Sequence, residues 1–363
     1  MQRQKVSVII LNDFPMSSSI GVMFQDYHDA VNGYGSVYSF TSSGPVEKYP
    51  GIRTDPVHFL GLLNNEKISR HYMLNQFIYE SLGPLAWNSF RKWVKENSDK
   101  SIIHYSNNRI KPFTQGEMNV VTMNDLIYTK TKEVNDLPAK IRLLRNNRYF
   151  IKFENIISIS DFVRKELIDY GFEGKITTIY QPTPRYFHML NIDKKDLRKE
   201  LALPLDKILL LSVSTNRSGK NLKSLAGLMD ILDDRYRLIR VGTPVGNSIS
   251  FTRVSNETLN LIYNACDALV FPSTDEGFGK PVAEAFKVGL PVLASNIEVM
   301  REICGDSAIL VEPNPKGLKN GLIELLNSKD EFIKKGIERS KQFEFDVFSQ
   351  KLRNYYISIF KKY

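Results

Sequence analysis

Only two cysteines, Cys266 and Cys304, occur in 363 residues. Two thiols in apolar stretches build neither a disulfide framework nor a cysteine-based metal site, and they fit a reducing compartment. Long hydrophobic runs are missing too. Val6–Leu11, after Met1-Gln2-Arg3-Gln4-Lys5, is too short for a signal-peptide core or a membrane span, and no other stretch reaches spanning length. The expectation is a cytoplasmic protein. No Asp-x-Asp stands at a strand end and no His/Cys cluster occurs, so the expected site has no metal and no cofactor. Internal repeats and low-complexity tracts are absent. So are basic motifs interleaved with aromatics, which argues against a nucleic-acid partner despite a net charge of +9.

What is present describes a globular protein: 42% hydrophobic and 25% charged residues. The length is more than one ordinary domain uses, so two are expected. The basic excess is not concentrated in one half. One local cluster stands out: Lys140, Arg142, Arg145, Arg148 and Lys152, uninterrupted by acid and interleaved with Ile141, Leu143, Leu144, Tyr149 and Phe150. Two readings apply. The stretch 138–153 makes peripheral contact with a membrane at its cytoplasmic face, or its apolar face joins the core and its charges face water, the more usual outcome.

Short apolar runs alternate with longer helical stretches, the pattern of parallel α/β units. In the first half, Val6–Leu11, Ser101–Tyr105, Asn119–Met123, Asn155–Ile159 and Ile176–Tyr180 read as strands. A loop with Ser17-Ser18-Ser19 and Gly21 follows the first of them, and a helix runs near Asp161–Tyr170. Gln181-Pro182-Thr183-Pro184 reads as an extended linker. Beyond it, Ile208–Val213, Tyr236–Val241, Val292–Ala294 and Ala308–Val311 read as strands. Asn221–Leu232, Glu257–Ala265, Pro315–Asn327 and Phe348–Phe360 read as helices.

The most informative stretch is Phe271 to Phe286. Leu269-Val270-Phe271 closes a buried strand, Gly277 and Gly279 allow close backbone approach, and Pro281 suits the first helical position, with Gly289 as the stop. A helix start aims free N–H groups and partial positive charge at an anion, usually phosphate. Two carboxylates, Glu276 and Glu284, flank this anion site. They would repel phosphate, so hydroxyl groups are their natural partners. A ligand with both phosphate and sugar hydroxyls is a nucleotide sugar.

This segment resembles the E-x7-E signature of the retaining glycosyltransferases of family 4, the group 1 glycosyltransferases, which have the GT-B fold. Leu261-Ile262-Tyr263-Asn264-Ala265-Cys266-Asp267 before it and Gly289-Leu290-Pro291-Val292-Leu293-Ala294-Ser295-Asn296 after it fit the same pattern. Glu302, Gly305 and Asp306 carry it on into Leu310-Val311-Glu312-Pro313. The resemblance implies an α/β architecture of two Rossmann-like domains facing a cleft. They span 1–184 on the acceptor side and 185–345 on the donor side, with 346–363 crossing back to the first domain.

It also implies roles. Glu284 would hydrogen-bond the ribose, and Glu276 the transferred sugar. Backbone N–H groups near Phe278, Gly279 and Lys280 would reach sugar and phosphate, with Gly277, Pro281 and Val282 completing the turn. Lys280 replaces the apolar residue usual in the family. Arg217 and Lys220, in Ser214-Thr215-Asn216-Arg217-Ser218-Gly219-Lys220-Asn221, would neutralise the diphosphate; their spacing is shorter than the family's. Arg253 and Val254 would meet the base, leaving uridine and guanosine both open. In the first half, Ser19-Ile20-Gly21 is a lean version of the family's glycine loop. In Val120-Val121-Thr122-Met123-Asn124-Asp125, Asn124 replaces the family's histidine. Asn124 can hydrogen-bond but cannot carry charge. Asp125 either orients the acceptor or caps a turn. His104, at another strand end, is a further candidate, although a lone histidine is more often a core residue.

The implied activity is a hexosyltransferase: a sugar passes from a UDP- or GDP-linked donor, with retention and without metal, to a glycan, lipid-linked or protein acceptor. A GT-B protein that binds nucleotide sugar without turnover, or serves as a partner subunit, is the second reading, motivated by Asn124 and the lean loop. A membrane- or nucleic-acid-binding protein, motivated by the charge, is the third.

Overall fold

In a computed structural model, the structure describes residues 7–12, 19–32, 36–41, 52–54, 101–106, 118–126 and 153–362. The basic stretch 138–152 and the serines Ser17 and Ser18 lie outside them. The chain divides into two compact units, one of residues 1–159, 163–179 and 348–363, the other of 160–162 and 180–347.

The first unit is built on seven parallel strands in the order β3-β2-β1-β4-β5-β6-β7. These are β1 (Ser7–Asn12), β2 (Ser36–Thr41), β3 (Ile52–Thr54), β4 (Ser101–Tyr105), β5 (Asn119–Met123), β6 (Asn155–Ser158) and β7 (Lys175–Thr178). Strands β4, β5 and β6 are buried along their whole length, as runs covered on both faces must be. Helix α1 (Ser19–Val31) packs on β1. The expected loop gives way at Ser19, so Ser19, Ile20 and Gly21 form the first turn of α1. A glycine there costs about 1 kcal/mol of helix propensity. That is outweighed by one face carrying Met23, Phe24, Tyr27, Ala30 and Val31, all buried. Helix α2 (Asp161–Asp169) follows β6.

The second unit carries six parallel strands in the order β10-β9-β8-β11-β12-β13. They are β8 (Ile208–Ser214), β9 (Tyr236–Gly242), β10 (Ile249–Phe251), β11 (Ala268–Phe271), β12 (Val292–Ser295) and β13 (Ile309–Val311). Its helices are α3 (Lys194–Glu200), α4 (Leu222–Ile231), α5 (Asn256–Ala265), α6 (Lys280–Lys287), α7 (Glu298–Cys304), α8 (Pro315–Asn327) and α9 (Lys329–Ser340). One core cluster joins Leu210, Leu238, Val270 and Leu293 of the sheet to Leu225 and Leu228 of α4 and to Leu318 and Leu322 of α8. Burying each such leucine stabilises the unit by about 1.5–3 kcal/mol. Both cysteines are buried thiols, pushed up to about 12 by burial.

The C-terminal helix spans Phe345–Phe360, three residues longer at its start than its apolar pattern predicts. From Phe348 onward it belongs to the first unit. Among the described residues, no helix is long and apolar enough to cross a membrane.

Candidate functional site

In the second sheet the order reverses between β8 and β11. Parallel sheets bind ligands outside the carboxyl ends of their strands at such a reversal. The two loops that leave these strands are tied together. Asn221 takes a left-handed conformation (φ 52°, ψ 43°) between a short turn and α4. Its Nδ2 donates to the carbonyls of Pro272 (3.1 Å) and Pro313 (2.8 Å). The Thr274 N–H donates to the Gly219 carbonyl at 2.8 Å. A Cβ on Gly219 would sit 3.1 Å from the Asp275 Cβ, so the loops approach as closely as glycine permits. The result is an ion pair: Lys220 Nζ lies 2.5 Å from Glu276 Oε1, with the two side chains only 11% and 10% exposed. The ammonium also sits 5.9 Å from the centroid of the Phe271 ring.

The turn after Glu276 is held from behind. The Gly277 carbonyl accepts from Ser160 Oγ at 2.7 Å. Phe278 is buried beside the rings of Tyr180 and Phe343. Gly279 has φ 91°, and a Cβ there would meet Met300 Cε at 2.6 Å. Helix α6 then begins at half-buried Lys280, with Pro281 in its first turn. Val282 and Glu284 point into the protein. Glu284 Oε2 accepts from the Tyr263 hydroxyl at 2.6 Å. Burial raises the Glu284 carboxyl above its ordinary range, opposed by the Tyr263 hydrogen bond and the Lys280 charge. Burial, followed by the Glu284 charge, pushes the Tyr263 phenol up as well.

The remaining candidates are dispersed. Arg217 is exposed where the short turn begins. Arg253, exposed with φ 54°, and half-buried Val254 precede α5, which Ser255 caps by accepting from the Thr258 N–H at 3.1 Å. In the first unit, Asn124 and Asp125 are half-buried directly after β5. His104 is a core residue. Its Nδ1 lies 2.5 Å from the Tyr356 hydroxyl and its Nε2 lies 2.8 Å from Thr122 Oγ1. Thr122 donates its hydroxyl hydrogen to Tyr27. It must therefore accept from Nε2–H, which leaves Nδ1 to accept from Tyr356. Burial lowers this imidazole to about 3, so it is neutral at ordinary pH.

Lys220, Glu276 to Lys280 and Glu284 thus gather at one sheet reversal, while Gly21, Asn124 and Asp125 belong to the other unit. Three contributors escape a reading of the sequence: the Asn221 tie, the Tyr263 partner of Glu284, and Arg240 inside β9. The first two act only through tertiary contact. The third left a signal, a lone cation in the apolar run Leu238-Ile239-Arg240-Val241. Among the described residues, no group of three or more His, Cys, Asp or Glu could hold a metal ion.

Residues 193–343 match the family described as glycosyl transferases group 1. The chain is 26% identical over 219 residues to O-antigen chain mannosyltransferase B of Escherichia coli, covering 53% of this chain and 57% of that one. It spans about half the length of the curated relatives it matches. Among solved structures, sucrose-phosphate synthase from Thermosynechococcus elongatus superposes with a TM-score of 0.75 at 19% identity, covering 98% of this chain and all of that one. HepE of Anabaena, solved with UDP-glucose, gives a TM-score of 0.70 at 14% identity, with 97% and 99% covered.

Proposed function

We propose that this chain, whose residues 193–343 match the group 1 glycosyl transferases and which has the GT-B fold, is a retaining, metal-independent hexosyltransferase. Its donor is a UDP- or GDP-linked sugar and its acceptor a glycan or lipid-linked glycan. Mannose, the sugar in the name of the E. coli relative, is the first to test. The observation that carries the reading is the meeting of Lys220 and Glu276 at the sheet reversal, with buried Glu284 in the helix that follows.

Glu284 accepts hydrogen bonds from the ribose hydroxyls. Glu276 accepts from the transferred sugar. Lys220, aided by Arg217 and the N–H groups of the Phe278–Lys280 turn, turns from Glu276 to the diphosphate when the donor enters. Arg253 and Val254 border the base. The bond from the anomeric carbon to the phosphate oxygen breaks, and the acceptor oxygen bonds the same face of that carbon. The acceptor's proton passes to the departing phosphate oxygen. Negative charge grows on that oxygen in the transition state, where fixed cations and the start of α6 are worth most. Asn124, Asp125 and Gly21 are the first unit's candidates for the acceptor.

The test is a screen of UDP- and GDP-linked sugars for thermal stabilisation and slow hydrolysis. Glu276→Ala should lose hydrolysis and transfer while keeping nucleotide affinity. Glu284→Ala should weaken the nucleotide by about tenfold or more, the loss of hydrogen bonds to a charged group. Equal binding and full turnover in both variants would sink the assignment. Donor binding with neither hydrolysis nor transfer would favour a non-catalytic subunit, the reading that Asn124 in place of histidine supports.

A further inference from the structure

Arg240 is fully buried in β9. Its Nη1 donates to the carbonyl and hydroxyl of Ser212, both at 3.0 Å, and to the Ser214 hydroxyl at 3.2 Å. Nη2 donates to the Ser214 carbonyl at 3.0 Å, and Nε to the Thr243 carbonyl at 3.2 Å. Every partner is neutral, and among the described residues no carboxylate pairs with it. Burial lowers the guanidinium only to about 10, so it stays a cation at neutral pH. A buried charge without a counter-charge costs several kcal/mol.

The socket around it is close-fitting. Ser212 pairs with Arg240 and Ser214 with Gly242 across the β8–β9 ladder. Gly242 has φ 128°, and a Cβ on it would lie 2.2 Å from the Ser214 carbonyl oxygen and 3.2 Å from Arg240 Nη2. Only glycine admits both groups. The fork therefore grips the last residues of β8, the strand that leads into the Arg217–Lys220 loop at the sheet reversal. Nothing described in the protein balances this cation, and it lies under the end of the sheet where an anion would arrive.

We propose that Arg240 is a positioning residue for the diphosphate of the donor: it clamps the end of β8, setting the Arg217–Lys220 loop, and its buried charge strengthens the attraction for the phosphates. The inference rests on the donor-site reading above. It differs from a role in folding alone, because it predicts a loss confined to the phosphate-bearing part of the ligand.

The measurement is the ratio of nucleoside to nucleoside-diphosphate dissociation constants, using uridine with UDP and guanosine with GDP, at two salt concentrations. Arg240→Met should lower that ratio by about tenfold or more and flatten its salt dependence. It should leave nucleoside affinity unchanged. Arg240→Lys, which keeps the charge and loses the fork, should recover part of the ratio. If Arg240→Met does not fold, Arg240→Lys and Ser214→Ala decide, each with an expected fall of about threefold in the ratio. An unchanged ratio, or an equal loss for nucleoside and diphosphate, overturns the inference and leaves the donor site standing. A wild type that binds no nucleoside diphosphate overturns both.

Discussion

Glu284 illustrates a residue whose proposed service to a ligand opposes the stability of its own fold. Its carboxyl is buried against Tyr263, and its pKa is raised by that burial. For an acid with a raised folded pKa, the unfolded chain releases its proton first as pH rises. Stability therefore falls between the ordinary value and the folded one, and the whole penalty is present above the folded one. Glu284→Gln keeps a hydrogen-bond acceptor for Tyr263 and removes the charge. At neutral pH it should raise the unfolding midpoint, by about 2–4 °C for each kcal/mol relieved. Donor affinity should fall at the same time. Scanning calorimetry from neutral pH down to pH 4 checks this: the gain should shrink as the wild-type carboxyl takes up its proton. A gain that does not change with pH would mean that packing, not charge, sets the difference.

At the scale of elements, the donor-side strand, turn and helix were legible because three local signals agree. Leu269-Val270-Phe271 is apolar, Gly277 and Gly279 interrupt it, and Pro281 restarts the chain as helix. The structure has β11 ending at Phe271 and α6 starting at Lys280. Strands β3 and β10, of three residues each, lack the apolar run that made β13 readable at the same length. Helix α1 was hidden by Gly21, a local penalty overruled by a buried face. The Tyr263–Glu284 and Asn221–Pro313 bonds join different elements and exist only once the chain is folded.

His104 shows the same limit. A strand-end histidine looks like a site residue, yet β5, α1 and the C-terminal helix supply its Thr122, Tyr27 and Tyr356 surroundings. It also makes a prediction. Its folded pKa of about 3 lies below the ordinary 6.5, so as pH falls below 6.5 the unfolded chain gains a proton that the folded chain refuses. Stability is lost across that window, at about 1.4 kcal/mol per pH unit. His104→Gln should be less stable at pH 7, and its deficit should narrow on acidification. Urea titrations at pH 7 and pH 5 check this, and a constant deficit would contradict it.

At the scale of the whole molecule, two all-parallel sheets account for the architecture, and their alternating pattern was readable along most of the chain. Which helix completes which sheet is not carried by local pattern, since it depends on contacts between distant segments; the crossing of 346–363 was implied only by the family resemblance. The Ser349 hydroxyl donates to the Ala30 carbonyl at 2.9 Å, Arg353 Nε donates to the same carbonyl at 2.5 Å, and Tyr356 meets His104. Ending the chain after Val347 should therefore strip protection from β4 and β5 in hydrogen exchange while leaving β8 and β11 protected. Equal protection loss in both sheets would mean the helix supports more than its own unit.

That helix also gives the protein a birth order. A ribosome delivers residues 160–347 with every strand of their sheet in hand, while the earlier segment still waits for Ser349, Arg353 and Tyr356. The first unit is thus completed only after residues 160–347 have been made. During synthesis the Tyr27–Thr122–His104 cluster lacks Tyr356 until translation reaches the helix Phe345–Phe360.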